Sequence, residues 1–237
     1  LRSWPDGKER VLTEGWDRSP ADLAFSADGK ELYCTADHLG QHALFSVDVA
    51  TGKTRIVVGT GHVVAPQVTQ GRIVFLLDSL KGPAEMYSVR SDGGDRKTIT
   101  SINEARLSAT RLGEPEQFSF TGANGDTVYG YLVKPAGFDP KKKYPLAFLV
   151  HGGPQGSFGN DFHYRWNPQT YAGAGYAAVM VDFHGSTGYG QAFTDAIRGD
   201  WGGKPYEDLA KGLDHALARY PYLDATRVCA LGASYGG

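Results

Sequence analysis

The sequence predicts a mixed fold, in which the last part of a β-propeller precedes a parallel α/β domain. Roughly the first hundred of the 237 residues alternate short β-rich runs with turns. Two of these runs are similar to each other at an interval of about 42 residues, close to the length of a propeller blade. Farther along, apolar strands alternate with helical segments. We therefore expect the last two to three blades in residues 1–110 and the first half of an α/β domain in residues 111–237.

The propeller prediction depends on a weak internal repeat. The segment LFSVD, which begins at Leu44, resembles MYSVR, which begins at Met86. Several short strands in a repeat of about 40 residues are typical of a propeller blade. A plain β-meander or a sandwich is the alternative for this half. Because a propeller needs about four blades to close, we expect most of the ring to lie upstream of residue 1.

The second half contains strands and helices in alternation. EPEQFSFTGANGDTVYGYLVKP predicts two strands joined by a tight turn at Asn124-Gly125. The apolar runs PLAFLVHGG, YAAVMVDF and RVCALGAS predict strands buried on both faces. PYEDLAKGLDHALARY has Pro205 at its start and apolar residues at helical spacing, so it predicts a helix. This order of elements predicts a parallel sheet.

A possible nucleophile follows the third apolar run, in the pattern Gly232-x-Ser234-x-Gly236. A nucleophile elbow of the α/β-hydrolase fold places a serine on a sharp turn between a strand and a helix. The flanking glycines are needed because the turn is strained and neighbouring backbone passes close to it. The alternative is a glycine-rich turn with an incidental serine. We predict that Ser234 is the nucleophile.

The segment HGGPQG, which begins at His151, follows the first long apolar strand. Acyl transfer builds negative charge on a carbonyl oxygen, and fixed backbone N–H groups stabilise that charge. In α/β-hydrolases one donor follows the nucleophile and the other lies in the loop after this strand. We therefore assign the N–H groups of Tyr235 and Gly153 as oxyanion donors. We expect His151 to be structural, because the catalytic histidine follows the serine in this fold.

Composition argues against several other classes of protein. The net charge is −2 and the longest basic run has three lysines, so nucleic acid is not an expected partner. No apolar stretch approaches the ~20 residues of a membrane span. The histidines lack ligand spacing, so neither a metal nor a cofactor is predicted. We interpret Asp182 and Asp208 as helix and turn caps, and Cys34 and Cys229 as buried thiols.

Longer segments around these motifs resemble a known family. HGGPQG, the stretch from RWNPQTYAGAGY to GGKPYEDL, and GASYGG are similar to the prolyl oligopeptidase family of serine peptidases. The similarity is strongest to acylaminoacyl peptidases and related bacterial dipeptidyl peptidases. It implies an α/β-hydrolase domain behind a propeller that admits only short peptides. It also implies a nucleophile at Ser234 and oxyanion donors at Tyr235 and Gly153.

The resemblance also predicts that the sequence does not contain all the catalytic residues of this family. The aspartate and histidine of this family follow the nucleophile, whereas Ser234 is followed by only three residues here. We therefore expect an internal piece of a longer peptidase that is inactive by itself. The resemblance favours a periplasmic or secreted location over a cytoplasmic one. Neither the oligomeric state nor the choice among dipeptides, acyl-amino acids and internal bonds follows from the sequence.

Two other functions remain open at this point. A carboxylesterase uses the same elbow and a similar His-Gly-Gly loop, although Pro154 and the propeller disfavour it. A non-catalytic protein with a propeller and a hydrolase domain would bind ligands only. The presence or absence of one aspartate and one histidine at triad distance from Ser234 would distinguish an enzyme from such a binding protein.

Overall fold

The computed structural model describes residues 1–237, which form two open β-sheets. The N-terminal sheet has eight strands. They are β1 (Ala21–Phe25), β2 (Glu31–His38), β3 (Gln41–Asp48), β4 (Thr54–Val58), β5 (His62–Thr69), β6 (Arg72–Ser79), β7 (Gly82–Arg90) and β8 (Lys97–Thr98). Residues 1–20 contribute no strand, only an isolated bridge between Arg2 and Glu9.

The eight strands form two similar units of four. Strands β1 to β4 pair as an antiparallel meander, and β5 to β8 repeat that arrangement. One parallel pair, between His42 and His62, joins the two units. Leu44 and Met86 lie on the third strand of their respective units, as the repeat predicts. Four antiparallel strands per unit are the content of a propeller blade.

One hydrophobic core holds the two units together. Its members are buried side chains from both units, each stabilising the fold by about 1.5–3 kcal/mol if fully removed from water. They are Tyr33, Leu44, Val57, Val58, Val63, Ile73, Phe75 and Val89. Because the cluster crosses the junction at His42 and His62, the units pack as neighbours.

The C-terminal sheet has five strands in the order β13-β11-β12-β10-β9. A short helix, α1 (Glu104–Ser108), precedes it. The elements that follow are β9 (Pro115–Thr121), β10 (Thr127–Val133), β11 (Tyr144–Val150), α2 (Pro168–Gly173), β12 (Ala177–Asp182), α3 (Gln191–Asp195), α4 (Lys204–Arg219) and β13 (Leu223–Gly232). Pro205 lies in the first turn of α4, as predicted.

The prediction of a parallel sheet is wrong for part of this sheet, which is mixed. Strands β11, β12 and β13 are parallel, whereas β10 is antiparallel to both β9 and β12. The antiparallel pairing of β10 with β9 follows from the turn between them, where Asn124 has φ 54° and Gly125 has φ 82°. Such a turn returns the chain beside itself, and a hairpin needs no crossover helix.

Helices cover both faces of the parallel strands. On β12, Val179 and Val181 belong to a cluster that includes Ala216 of α4. The alternating residue Met180 faces the other side, in a cluster with Ala172 of α2. This alternation explains why β11 and β12 are apolar along their whole length. None of the helices combines the length and apolar composition that crossing a bilayer requires.

The edge strand β13 differs from its neighbours. It pairs only with β11, and most of its residues are exposed. Cys229 lies on this strand and is exposed, so the prediction of a buried thiol is wrong for it because an edge strand is covered less completely. Cys34, on the inner strand β2, is buried as expected.

Candidate functional site

Ser234 lies two residues beyond the end of β13, at the carboxyl edge of the parallel strands. Its backbone has φ 57°, in the left-handed region that residues other than glycine rarely adopt. A 3₁₀ turn over Ser234–Gly236 begins at this residue, and its side chain is exposed. A strained turn that presents a serine at the end of a parallel strand has the geometry of a nucleophile elbow.

Both glycines of the motif are required by close packing. A Cβ atom on Gly232 would lie 1.9 Å from the carbonyl oxygen of Gly236. A Cβ atom on Gly236 would lie 2.3 Å from the carbonyl oxygen of Val150 at the end of β11. Real Cβ atoms essentially never approach backbone atoms so closely. This packing favours an elbow over an incidental serine between glycines.

The His-Gly-Gly loop passes directly beside Ser234. A Cβ atom on Gly152 would be 3.2 Å from the Cβ atom of Ser234. Gly153 is the next residue and has φ 125°, so a side chain there would be strained. The loop is therefore close enough to Ser234 to supply a backbone donor. The assignment of the Gly153 N–H to the oxyanion stays a prediction.

Tyr235, the other predicted donor, is anchored through its side chain. Its ring packs edge-on against Trp201, with ring centroids 5.6 Å apart, and lies 5.5 Å from the ring of Phe183. Its hydroxyl donates to the carbonyl oxygen of Trp201. These contacts fix the turn that contains the Tyr235 N–H. The role of that N–H as an oxyanion donor also stays a prediction.

His151 is buried and both of its ring nitrogens have partners. Nδ1 lies 2.8 Å from the carbonyl oxygen of Gly152 and Nε2 lies 2.9 Å from the Ser186 hydroxyl. Since a carbonyl can only accept, Nδ1 donates to Gly152, and Nε2 is paired with the Ser186 hydroxyl. The ring stacks on Phe183 at 4.2 Å between centroids. The expected structural role of His151 agrees with these contacts.

The other six histidines also contact groups other than Ser234. Their neighbours are Arg18 for His38, Asp37 for His42, Asp78 for His62, the Arg165 and Trp166 N–H groups for His163, Asp126 and Asp208 for His184, and the rings of Phe118 and Phe120 for His215. These 237 residues thus provide no histidine hydrogen-bonded to Ser234. No group of three or more His, Cys, Asp or Glu side chains is arranged to hold a metal ion.

Asp182 and Asp208 are not caps, so this interpretation is wrong. Asp182 is 3% exposed and accepts from the Ser157 hydroxyl, the Phe158 N–H at 3.0 Å and the Tyr189 hydroxyl at 2.6 Å. Asp208 is fully buried and accepts from the N–H groups of His184 and Ala123. Each carboxylate connects segments that are distant in sequence. Local patterns could not predict these contacts.

A cavity of about 490 Å³ opens beside Ser234. Its wall includes Gly152, the aromatic residues Phe158 and Trp166, and Asp161. This size is within the range of small-molecule sites. Phe158, Asp161 and Trp166 could not be predicted from the sequence as site residues, because the loop between β11 and α2 that carries them has no helix or strand periodicity.

A strained serine at the end of a parallel strand, beside a glycine loop, defines the α/β-hydrolase class of site. Comparisons with known proteins are more specific, because residues 162–237 match the model of the prolyl oligopeptidase family. The resemblance expected from the sequence is confirmed, because residues 162–237 are similar to this family.

Curated relatives extend the similarity over nearly the whole chain. Dipeptidyl-peptidase 5 of Schizosaccharomyces pombe is 35% identical over 98% of this chain and 34% of its own length. Dipeptidyl-peptidase 5 of Trichophyton schoenleinii is 37% identical over 95% of this chain and 32% of its own length. The chain therefore spans about a third of the length of these relatives.

Solved structures are also similar to this chain over nearly its whole length. The acylaminoacyl peptidase of Pyrococcus horikoshii superposes with a TM-score of 0.85 at 26% identity, covering 98% of this chain and 36% of that protein. An acylaminoacyl peptidase in complex with Z-Gly-Gly-Phe-chloromethyl ketone gives a TM-score of 0.85 at 27% identity, with the same coverage. Both halves of the chain thus have counterparts in an acylaminoacyl peptidase.

Proposed function

We propose that the whole protein is a serine peptidase that cleaves short peptides, of the dipeptidyl-peptidase or acylaminoacyl-peptidase type. The observation that carries this proposal is the left-handed backbone of Ser234, held between two glycines that tolerate no side chain. The serine faces a cavity of about 490 Å³, large enough for a small part of a peptide. The names of the relatives support the choice of peptide substrates.

In the proposed mechanism Ser234 Oγ attacks the carbonyl carbon of the scissile bond while a histidine accepts the hydroxyl proton. Backbone N–H groups of Tyr235 and Gly153 donate to the oxygen on which negative charge develops. The protonated histidine then gives its proton to the leaving amine. Water attacks the acyl-enzyme with help from the same histidine and frees Ser234. Since no histidine among these residues is hydrogen-bonded to Ser234, the proposal places that base outside residues 1–237.

We also propose that residues 1–110 act as the propeller part and residues 111–237 as the hydrolase part. The two parts meet at the loop that forms the cavity wall. The Phe162 N–H donates to Asp78 at 2.7 Å, and the Asn160 N–H donates to the carbonyl oxygen of Gly40 at 2.8 Å. The propeller part therefore supports the cavity wall directly, and it restricts access to the cavity.

The test uses the protein expressed from its complete gene. Ser234→Ala is expected to lower the turnover of dipeptidyl and N-acetyl-aminoacyl p-nitroanilides on the order of 10⁴-fold or more, because the nucleophile is lost. Ser108→Ala is the matched control, since Ser108 is exposed on α1. Full activity of Ser234→Ala would contradict the proposal.

Two outcomes would favour the other functions. Hydrolysis of p-nitrophenyl esters without hydrolysis of any peptide anilide would indicate a carboxylesterase. Absence of both activities, together with no labelling by a fluorophosphonate, would indicate a protein that only binds ligands.

A further inference from the structure

The loop that follows β12, here called the β12 loop (residues 183–187), holds the His-Gly-Gly loop at both of its ends. At one end, Nε2 of His151 lies 2.9 Å from the hydroxyl of Ser186, which is fully buried. At the other end, the Thr187 N–H donates to the carbonyl oxygen of Gly156 at 2.9 Å. Two fixed ends restrict the backbone between them, and that backbone carries one of the two proposed oxyanion donors.

The β12 loop also contacts the turn that contains the nucleophile, through Phe183. The fully buried ring of Phe183 stacks on His151 with centroids 4.2 Å apart, and it lies 5.5 Å from the ring of Tyr235. The segments that carry the proposed donors, the N–H groups of Gly153 and Tyr235, therefore pack on the same loop. A displacement of the β12 loop would change the positions of both donors relative to Ser234.

On the side of the C-terminal sheet, the β12 loop is anchored by Asp208 of α4. This fully buried carboxylate accepts the His184 N–H at 2.7 Å and lies 2.5 Å from the Nδ1 of the same residue. The Thr194 hydroxyl donates to the carbonyl oxygen of Ser186 at 3.0 Å. These contacts hold the middle of the β12 loop, whereas its last residue, Thr187, is held by the N-terminal sheet.

The side chain of Thr187 is bound to Asp37, the last residue but one of β2. Its hydroxyl donates to Oδ2 of Asp37 at 2.7 Å, and Oδ1 of Asp37 lies 2.7 Å from Nδ1 of His42. Burial alone would raise the pKa of Asp37, but the hydrogen bonds from His42 and Thr187 lower it, so the carboxylate is ionised at neutral pH. A hydrogen bond to an ionised acceptor is stronger than one between neutral groups.

We propose that Asp37 is a positioning residue for catalysis, which holds Thr187 and, through the Thr187 N–H, the Gly156 end of the His-Gly-Gly loop. This inference rests on the proposed function and extends it, because the N-terminal sheet then contributes to stabilisation of the transition state and not only to restricted access. Backbone donors stabilise an oxyanion only when they are fixed in advance at the correct distance. A misplacement of about 1 Å can lower a rate about 100-fold.

Thr187→Val in the protein from the complete gene tests this inference, because valine has a similar shape but lacks the hydroxyl. For a p-nitroanilide that the wild type cleaves, we expect kcat to fall about 10- to 100-fold and KM to change by less than about twofold, since the oxyanion forms only in the transition state. Thr187→Ser keeps the hydroxyl and should retain most of the activity. Thr226→Val is the matched control, since the exposed Thr226 also donates to an aspartate, Asp224.

Asp37→Ala removes the same hydrogen bond from the side of the N-terminal sheet, and it keeps the test decisive if Thr187→Val does not fold. We expect kcat to fall by a similar factor. The variant that combines both changes should show little further loss, because residues that act through one interaction are not additive. Additive losses would show that Asp37 acts by another route, and they would overturn the inference.

Thermal unfolding and steady-state kinetics together distinguish positioning from folding. A lower unfolding temperature with unchanged kcat in both single variants would indicate a structural contact and overturn the inference. A higher KM with unchanged kcat would also overturn it, since that pattern indicates lost substrate binding. An inactive Ser234→Ala protein with normal kcat in Thr187→Val would refute this inference alone, whereas full activity of Ser234→Ala would refute the proposed function.

Discussion

The backbone of Ser234 is strained, and packing against the surrounding residues keeps it in this conformation. A residue other than glycine in the left-handed region costs on the order of 1–3 kcal/mol, and Ser234 has φ 57°. The turn is held by the approach of Gly236 to the carbonyl oxygens of Val150 and His151. Strain of this kind persists only where packing leaves no alternative conformation. The exposed serine is therefore a consequence of how the turn packs against the end of β11.

Gly236→Ala should displace this turn. Its Cβ atom would lie 2.3 Å from the carbonyl oxygen of Val150, which belongs to a strand and cannot move freely. We expect at least a 100-fold loss of peptidase activity in the complete protein and a lower unfolding temperature. The control is Gly173→Ala, because Gly173 has no atom within 4 Å of the added methyl group. Wild-type activity in Gly236→Ala would contradict this account of the elbow.

The pair formed by His62 and Asp78 should make stability depend on pH. The hydrogen bond from His62 to Asp78 raises the pKa of His62 although burial lowers it. The stabilising effect is therefore complete below the unfolded pKa of about 6.5 and is lost as pH rises through the folded value. We expect the unfolding temperature to fall as pH rises over this interval. His62→Gln and Asp78→Asn should each remove the part of this pH dependence that the pair causes. Unchanged slopes in both variants would refute the prediction.

At the scale of single residues, the sequence reveals features that depend on local geometry. The glycines around Ser234 are visible because a strained turn allows few residue types. Asp161 and Asp182 were missed or misinterpreted for the opposite reason. Their roles depend on segments distant in sequence, such as the loop that carries Ser157 and Phe158. No local sequence pattern predicts such a contact.

Secondary-structure elements were predictable where they were long or had a specific turn. Helix α4 has 16 residues and a proline in its first turn, and the hairpin of β9 and β10 has an Asn-Gly turn. Helices α1 and α3 have five residues each, which is too short to show helical periodicity. The antiparallel pairing of β10 with β12 follows from packing and could not be derived from the order of the elements.

Asp182, at the end of β12, should act as a positioning residue for the loop after β11. It accepts hydrogen bonds from Ser157, Phe158 and Tyr189, and the first two of these residues line the cavity. Asp182→Asn replaces one acceptor oxygen with a donor, so at least one of these bonds is lost. Each hydrogen bond to a charged group contributes about 1.5–3 kcal/mol.

We expect Asp182→Asn to lower the unfolding temperature and to raise KM more than it lowers kcat, since the cavity wall moves while Ser234 stays in place. Steady-state kinetics in the complete protein provide the measurement, and Asp182→Glu should restore part of the loss. Asp195→Asn, on the exposed side of α3, is the control. An unchanged KM would show that Asp182 does not position the wall.

At the scale of the whole molecule, the two sheets meet through polar contacts around the cavity loop and through Leu80, which is buried in an apolar cluster with residues of the second sheet. Thr187 donates to Asp37, and the Leu80 N–H donates to the side chain of Asn160 at 3.0 Å. The repeat in the sequence predicted two similar units, but not how they meet the second sheet. Contacts between loops have no periodicity, so only the folded structure defines this interface.

The last prediction concerns the 237 residues as a unit. Every histidine among them has a neighbour other than Ser234, and His151, the one in the adjoining loop, uses both ring nitrogens elsewhere. A serine hydroxyl without a base is a poor nucleophile at neutral pH. We therefore expect the 237-residue chain to leave a fluorophosphonate probe unreacted, whereas the protein from the complete gene reacts and its Ser234→Ala variant does not. Stoichiometric labelling of Ser234 in the 237-residue chain would show that a base exists within these residues, and would require a different assignment of the histidines.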